Sequence, residues 1–213
     1  MLAILDYKAG NQTSVRRALE HLGIPCTITA DPAVVASAVG LIFPGVGAAG
    51  QAMEQLRLSG LEEALRRAVQ LGQPLLGICL GCQILLDHSE ENDTAALGLV
   101  RGTCRLFDKS LSDVDARPLR IPHMGWNTLT VRRPSPLLQG IAPQASFYFV
   151  HSYYVEVPED LCIATAHYGQ DFCAVYGRDK LWAVQFHPEK SGQPGLQLLK
   201  NYYAYCQGGT HAE

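Results

Sequence analysis

The sequence predicts an α/β fold: a mostly parallel central sheet flanked by helices, with additional antiparallel strands in the C-terminal half. Strand-like and helix-like segments alternate through the first half, and the strands are short apolar runs without polar alternation. That combination is typical of parallel strands covered on both faces. The second half carries several extended segments separated by turn residues. With no repeat and no long linker in 213 residues, one domain spanning residues 1–213 is expected.

The elements of the first half follow from apolar runs and helical periodicity. Residues 13–22 carry Val15, Ala18 and Leu19 at helical spacing, and Gly23 stops the helix. A Pro-Gly-Val-Gly turn, residues 44–47, ends one buried strand, and Cys79 ends the next. The predicted strands are 2–6, 26–29, 41–44 and 74–79, and the predicted helices are 13–22, 50–57, 60–71 and 80–88.

The second half is predicted to be richer in strands and to close with a helix. Segments 89–94 and 109–117 are polar and are expected to be the least ordered. The predicted strands are 99–107, 126–131, 146–157, 161–167, 172–176 and 181–186. Residues 195–205 have the pattern of an amphipathic helix.

Composition excludes several classes of protein. The net charge of −3 gives no global basic field for nucleic acid or an anionic membrane, and the Arg pairs are interpreted as solvated faces. No apolar run approaches the roughly 18 residues of a membrane span, and the N-terminus lacks the pattern of a signal peptide. Seven cysteines, an odd number, do not suggest a disulfide framework. The cytosol is the expected compartment.

A candidate nucleophile lies in Gly77-Ile78-Cys79-Leu80-Gly81, where a buried strand gives way to a helix. G-x-C-x-G is the thiol counterpart of the nucleophile elbow, a strained turn that presents the central side chain at the sheet edge. The amides at the start of the next helix favour a thiolate and a developing oxyanion. A buried structural cysteine is the alternative. Cys82 completes a C-x-x-C pair, but no second ligand pair supports a metal site.

The candidate base is His187, in Phe186-His187-Pro188-Glu189. The proline biases His187 towards an extended conformation, so that Glu189, two residues on, can face the same way and hold the imidazole. Ends of parallel strands meet at one edge of a sheet, which allows Cys79 and His187 to converge. Among the other histidines, His21, His88, His167 and His211 are expected at the surface or at strand ends, whereas His123 and His151 remain possible binding residues.

Three blocks in this order resemble the class I, or triad, glutamine amidotransferases: PGVG, LGICLGCQ and VQFHPEKS. The whole chain resembles, within that family, the glutaminase subunits of imidazole glycerol phosphate synthase. The additional blocks are DY-x-x-GN at residues 6–11, PHMGWN at 122–127 and FVHSYY at 149–154. Lys8 and Cys82 depart from the usual glycine and methionine, and neither belongs to the triad.

The resemblance implies one glutamine amidotransferase domain that hydrolyses glutamine without a cofactor or metal. Cys79 would attack the carboxamide, His187 would move the proton and Glu189 would orient the imidazole. Backbone amides of Val46 and Leu80 would form the oxyanion hole. We hypothesise that partner and ligand binding flip the peptide near Val46 to complete it. The implied substrate-binding residues are Gly47, Gln83, Ser152 and Tyr153.

The resemblance also implies a heterodimer with a (β/α)₈ cyclase subunit that receives the ammonia, in histidine biosynthesis. Met124, Trp126, Tyr148 and Lys190 would lie towards that partner. Three alternatives remain open: the glutaminase of another ammonia-channelling synthase, a catalytically silent subunit that stabilises its partner, and a stand-alone cysteine hydrolase. For the tyrosines among the predicted site and partner residues, the alternative role is ordinary packing of a strand.

Overall fold

The fold is a mixed, mostly parallel sheet with helices on both faces, as predicted. The computed structural model describes residues 1–208, so the prediction for His211 lies outside the described residues. The strands are β1 (Leu2–Leu5), β2 (Cys26–Thr29), β3 (Gly40–Gly45), β4 (Leu75–Cys79), β5 (His88–Ser89), β6 (Thr94–Ala95), β7 (Thr103–Leu106), β8 (His123–Thr128), β9 (Thr130–Val131), β10 (Ser146–His151), β11 (Tyr153–Glu156), β12 (Cys162–His167), β13 (Asp171–Arg178) and β14 (Leu181–Val184). The α-helices are α1 (Gln12–His21), α2 (Pro32–Ser37), α3 (Ala49–Ser59), α4 (Leu61–Gln70), α5 (Leu80–Ile84) and α6 (Gly192–Cys206).

The main sheet has the order β2-β1-β3-β4-β14-β13-β11-β7-β5-β6; β12 also pairs with β13, and β9 pairs with β12. The first five strands of that order are parallel, and antiparallel pairing begins between β14 and β13. Strands β8 and β10 form a separate antiparallel pair. The carboxyl ends of β3, β4 and β14 therefore lie side by side at one edge.

Two apolar layers cover the parallel part of the sheet. Alternate residues of β1 belong to different layers: Ala3 and Leu5 pack with α3 and α4, whereas Leu2 and Ile4 pack with α1 and α6. All residues of β1, β3, β4 and β14 are buried. Burial on both faces explains why these strands are uniformly apolar in sequence.

Several predicted boundaries are wrong. The helix predicted at 80–88 ends at Ile84, and His88–Ser89 is a short strand. Helix α2 was not predicted; Asp31 caps it by accepting a hydrogen bond from the Ala33 amide at 2.8 Å. The strand predicted at 99–107 is confined to Thr103–Leu106. The closing helix begins at Gly192, three residues before the predicted 195–205.

The segment predicted as one strand at 146–157 is two strands in different sheets. β10 pairs with β8, whereas β11 pairs with β7 and β13, and the chain changes sheet at Ser152. Alternation of side chains could not reveal the break because both strands are half-buried. The break places the backbone of Ser152 and Tyr153 between the two sheets.

None of the helices within residues 1–208 is both long enough and apolar enough to cross a bilayer.

Candidate active site

The three sequence blocks singled out above meet at the carboxyl ends of three adjacent parallel strands. Gly45 at the end of β3 pairs in register with Cys79 at the end of β4. Val184, at the end of β14, pairs with Ile78, and His187 follows three residues later. Topology alone therefore brings the turn, the thiol and the imidazole to one edge of the sheet.

Cys79 has the backbone conformation of a nucleophile elbow. Its φ of 54° and ψ of −109° lie in a region that residues other than glycine rarely adopt. Gly81 lets the start of α5 lie close against β3, since a Cβ there would lie 1.8 Å from the Phe43 carbonyl oxygen. The thiol is 6% exposed, so the strained turn holds it at the edge of a cleft rather than in open solvent.

His187 and Glu189 form a pair with fully buried side chains. Nδ1 of His187 lies 2.7 Å from Oε1 of Glu189. Because the carboxylate only accepts hydrogen bonds, Nδ1 is the protonated nitrogen. Nε2 is buried and makes no hydrogen bond of ordinary geometry to another residue in the described range. This nitrogen is left for Cys79, through a contact that tightens during reaction.

The surroundings favour a charged imidazole at His187. Burial lowers its pKa, but the neighbouring Cys79 and the hydrogen-bonded Glu189 outweigh this effect and raise the pKa to about 10. A protonated imidazole beside a thiol is the arrangement that stabilises a thiolate. The site therefore supplies a nucleophile and a proton donor together.

Beside Cys79 lies a cleft of about 330 Å³ that contains the residues predicted to bind substrate. The predicted residues that line it are Val46, Gly47, Cys79, Leu80, Gln83, Ser152 and Tyr153. Gln83 is buried; its Nε2 donates to the Tyr153 carbonyl at 3.0 Å and to Oε1 of Gln185 at 3.2 Å. Gln83 is therefore not an ordinary surface residue of a helix.

The two predicted oxyanion donors differ in availability. Leu80 begins α5 directly after the nucleophile. The Val46 amide donates instead to the Ala9 carbonyl at 2.9 Å, so it is not available to an oxyanion in this conformation. Tyr7 donates its hydroxyl to the Pro44 carbonyl at 2.8 Å and fixes the strand side of the same turn. Gly47, with φ of 100°, lies on the other side.

Comparison with known proteins agrees with this geometry. The family model for glutamine amidotransferase class-I matches residues 3–205. The chain belongs to the class-I glutamine amidotransferases. Two curated relatives are named imidazole glycerol phosphate synthase subunit HisH. That of a Nitratidesulfovibrio vulgaris strain is 66% identical over 212 residues, covering 100% of both chains. That of Geobacillus thermodenitrificans is 48% identical over 211 residues, covering 98% of this chain and 97% of the relative.

Solved structures of lower identity show the same fold. A crystal structure of a glutamine amidotransferase superposes with a TM-score of 0.71 at 21% identity, covering 97% of this chain and 98% of the other. The glutaminase domain of Trypanosoma brucei CTPS with bound acivicin gives 0.70 at 17% identity, with coverages of 99% and 95%. The class-I amidotransferase fold predicted from the sequence is thus confirmed.

Some residues at this amidotransferase site were not identified from the sequence. Glu91 lines the cleft although segment 89–94 was expected to be poorly ordered. Its Oε2 accepts a hydrogen bond from the Ala49 amide, the first of α3, at 2.7 Å. Gln185 is fully buried, with Nε2 3.9 Å from Sγ of Cys79. The position of Gln185 within VQFHPEKS was a signal that the sequence offered, whereas nothing in the sequence pointed to Glu91.

The predicted partner residues share one outward face of the amidotransferase. In the β8–β10 pair, Met124 lies opposite Val150 and Trp126 opposite Tyr148. Met124 is 62% exposed and Trp126 60%, and the Trp126 and Tyr148 rings are 6.0 Å apart. Lys190 is exposed and follows His187, whose backbone N–H donates to the Tyr148 carbonyl at 2.9 Å.

The other side of the β8–β10 pair carries a buried histidine pair. Nδ1 of His123 and Nε2 of His151 are 3.1 Å apart, and Nδ1 of His151 donates to the Tyr153 carbonyl at 2.7 Å. Burial lowers the pKa of His123 to about 4 and that of His151 to about 3. His151 also lines the cleft. Within residues 1–208, no cluster of three or more His, Cys, Asp and Glu side chains is arranged to hold a metal ion.

Proposed function

We propose that this chain is the glutaminase subunit of imidazole glycerol phosphate synthase, a single domain over residues 1–213 that acts in the cytoplasm. It hydrolyses glutamine and delivers the ammonia to a (β/α)₈ cyclase subunit in histidine biosynthesis. The observation that carries the proposal is Cys79, on a strained backbone turn at a cleft with polar lining residues, together with the buried His187–Glu189 pair. The curated relatives of full length bear the name of that subunit.

The geometry supports covalent catalysis through a thioester. The thiolate of Cys79 attacks the carboxamide carbon of glutamine, and the Leu80 amide donates to the oxyanion. His187 gives its proton to the leaving nitrogen, and ammonia departs as the γ-glutamyl thioester forms. The neutral imidazole then takes a proton from water, which attacks the thioester and releases glutamate. Glu189 holds the ring through Nδ1 in both steps.

The cleft offers a complementary group to each end of glutamine. Glu91 places a carboxylate where it can meet the α-ammonium group, while its other contact, with the Ala49 amide, fixes its position. Gln83, Gly47 and the backbone of Ser152 and Tyr153 surround the remaining polar atoms. Such convergent polar groups in a small cleft give specificity for one amino acid.

The engaged Val46 amide supports the hypothesis of an oxyanion hole that partner and ligand binding complete. Breaking the hydrogen bond from the Val46 amide to the Ala9 carbonyl and rotating the Gly45–Val46 peptide would free a second donor. One oxyanion donor is worth roughly 3–4 kcal/mol. We therefore expect slow glutamine hydrolysis by the isolated subunit and fast hydrolysis in the complex. Equal rates would contradict the hypothesis.

The face with Met124, Trp126 and Tyr148 is suited to be the surface that contacts the cyclase subunit. Large apolar groups exposed together on a rigid strand pair are typical interface anchors. Because the backbone of His187 is bonded to β10, docking there would place the partner next to the triad. Direct transfer would keep the ammonia unprotonated and away from bulk water.

Reconstitution with the cyclase subunit and its ribonucleotide substrate tests the proposal. We expect Cys79→Ala to abolish synthesis from glutamine and to leave synthesis from added ammonia intact. Loss of both activities would indicate a structural role for Cys79 instead. Synthesis that works only with a different synthase would favour another ammonia-channelling complex. Full synthesis from glutamine by the Cys79→Ala protein would support a catalytically silent subunit.

A further inference from the structure

We propose that Asn11 is a positioning residue of the triad: its side-chain amide fixes the Glu189 carboxylate that orients His187. The proposal deepens the proposed function and rests on it. Asn11 lies in the loop between β1 and α1, far in sequence from either partner.

The contacts of Asn11 converge on the hydrogen bond between His187 and Glu189. Nδ2 of Asn11 donates to Oε1 of Glu189 at 2.8 Å and lies 3.3 Å from Nδ1 of His187. The same Oε1 receives Nδ1–H of His187 at 2.7 Å. Two donors from separate elements therefore hold one carboxylate oxygen.

The environment of Glu189 makes this second donor important. Its side chain has no exposed surface, and its other oxygen, Oε2, is buried with no hydrogen-bond partner in the described part of the chain. A buried carboxylate that has lost its hydration depends strongly on each remaining donor. With Oε1 held from two directions, the carboxylate resists rotation, and Nε2 of His187 stays directed towards Cys79.

The backbone indicates that the side chain of Asn11 is used. Asn11 has φ of 70°, a conformation that glycine adopts more easily. It stands at the N-cap of α1, where an asparagine side chain normally accepts a hydrogen bond from the helix, but it makes no capping hydrogen bond. An asparagine that forgoes capping and donates to Glu189 instead serves the triad rather than the helix.

Asn11 should act on the chemical step rather than on glutamine binding. It is not among the residues that line the cleft. Removing its amide would loosen the imidazole in the transition state without touching the substrate. The expected signature is a lower kcat at an unchanged KM.

Two matched variants separate the amide from the backbone conformation. Asn11→Gly accepts the positive φ and removes the amide, whereas Asn11→Asp keeps the size and replaces the donor with an acceptor that faces Glu189. We expect Asn11→Gly to lower kcat of the complex about 10- to 100-fold, the range for a hydrogen bond to a charged group. Asn11→Asp should lower it further, because two carboxylates repel. KM should stay within about twofold for both variants.

Gln12→Ala is the control, because Gln12 follows Asn11 directly as the first residue of α1, but its Nε2 donates to Oδ1 of Asp6 at 3.4 Å and not to the triad. It should keep wild-type kcat. A second readout is the rate at which iodoacetamide alkylates Cys79 in the isolated subunit, which reports thiolate without glutamine turnover. That rate should fall in Asn11→Gly and Asn11→Asp and stay unchanged in Gln12→Ala. Thermal unfolding curves would verify that all three variants are folded.

Wild-type kcat and alkylation rate in Asn11→Gly would overturn the inference. So would an equal fall in Gln12→Ala, or a change confined to KM. If the wild-type complex failed to hydrolyse glutamine, the proposed function would fail, and the ratio of alkylation rates would still decide the role of Asn11.

Discussion

Two buried histidine sites lie near the cleft, His187 and the His123–His151 pair, and their pKa values are shifted in opposite directions. His187 is fully buried, and its pKa is raised to about 10 by Cys79 and Glu189, against the effect of burial. His123 and His151 are 3% and 5% exposed, and burial lowers their pKa values to about 4 and about 3. Burial is similar in both places. The difference comes from the partners, which are a thiol and a carboxylate in one case and neutral groups in the other.

The hydrogen bonds of His123 and His151 are those of two neutral rings. Nδ1 of His151 must donate to the Tyr153 carbonyl, so Nε2 accepts from Nδ1 of His123. Nε2 of His123 then accepts from the Asn127 amide at 3.4 Å. Each ring donates once and accepts once, and the His123 ring stacks on Phe149 and Tyr168. One group is therefore built for proton transfer and the other for a fixed structure.

The largest expected effect is on catalysis. His187→Phe should lower kcat for glutamine hydrolysis by about 10³-fold or more, since it removes the acid and base of both steps. His123→Phe preserves the aromatic stacking, and His123 is not among the residues that line the cleft, so we expect kcat within about tenfold of wild type. Steady-state kinetics of the complex measures both values. Losses of similar size would show that the two groups do not differ in function.

A smaller effect is expected in the dependence of stability on pH. The folded pKa of His151 lies below the unfolded value of about 6.5, so its contribution is present above about pH 6.5 and is lost as the pH falls towards 3. Between pH 7 and pH 5 this amounts to about 2 kcal/mol. Denaturant unfolding at both pH values should show a fall in the free energy of unfolding that is smaller in His151→Phe than in the wild type by this amount.

The comparison with the variant isolates one histidine, because the other titrating groups are common to both proteins. If His151→Phe lost as much free energy of unfolding as the wild type over this range, His151 would not be held neutral by its site.

The smallest change expected is confined to one ring. Cys79→Ala removes the neighbouring thiol that helps to raise the pKa of His187, so that pKa should fall. Stability from protonated His187 is present below about pH 6.5 and is lost as the pH rises through about 10 in the wild type; in the variant this loss should be smaller and complete at a lower pH. NMR titration of the ring nitrogens measures the shift. Unchanged titration of His187 would separate it from the thiol.

The sequence predicts the triad because each part is a local pattern. The glycines around Cys79 and the proline between His187 and Glu189 determine geometry within a few residues, and strand order brings the two segments together. The confirmed fold has the same origin, since uniformly apolar strands separated by amphipathic helices leave few alternatives. The roles of these residues in catalysis remain proposals.

The parts that the sequence does not predict depend on distant contacts. Glu91 belongs to a polar segment that looked disordered, and its carboxylate is fixed by an amide 42 residues away. Asn11 reaches Glu189 across 178 residues, and nothing local marks that contact. The His123–His151 pair depends on the register of β8 and β10, which alternation of side chains does not determine.

Covalent trapping of the nucleophile tests the central claim most directly. The complex would be treated with an electrophilic glutamine analogue, and the adduct would be mapped by peptide mass spectrometry. We expect one adduct per chain, on Cys79, formed about 10³-fold more slowly in His187→Phe. An adduct on another of the seven cysteines, or equal rates in the two proteins, would contradict the account.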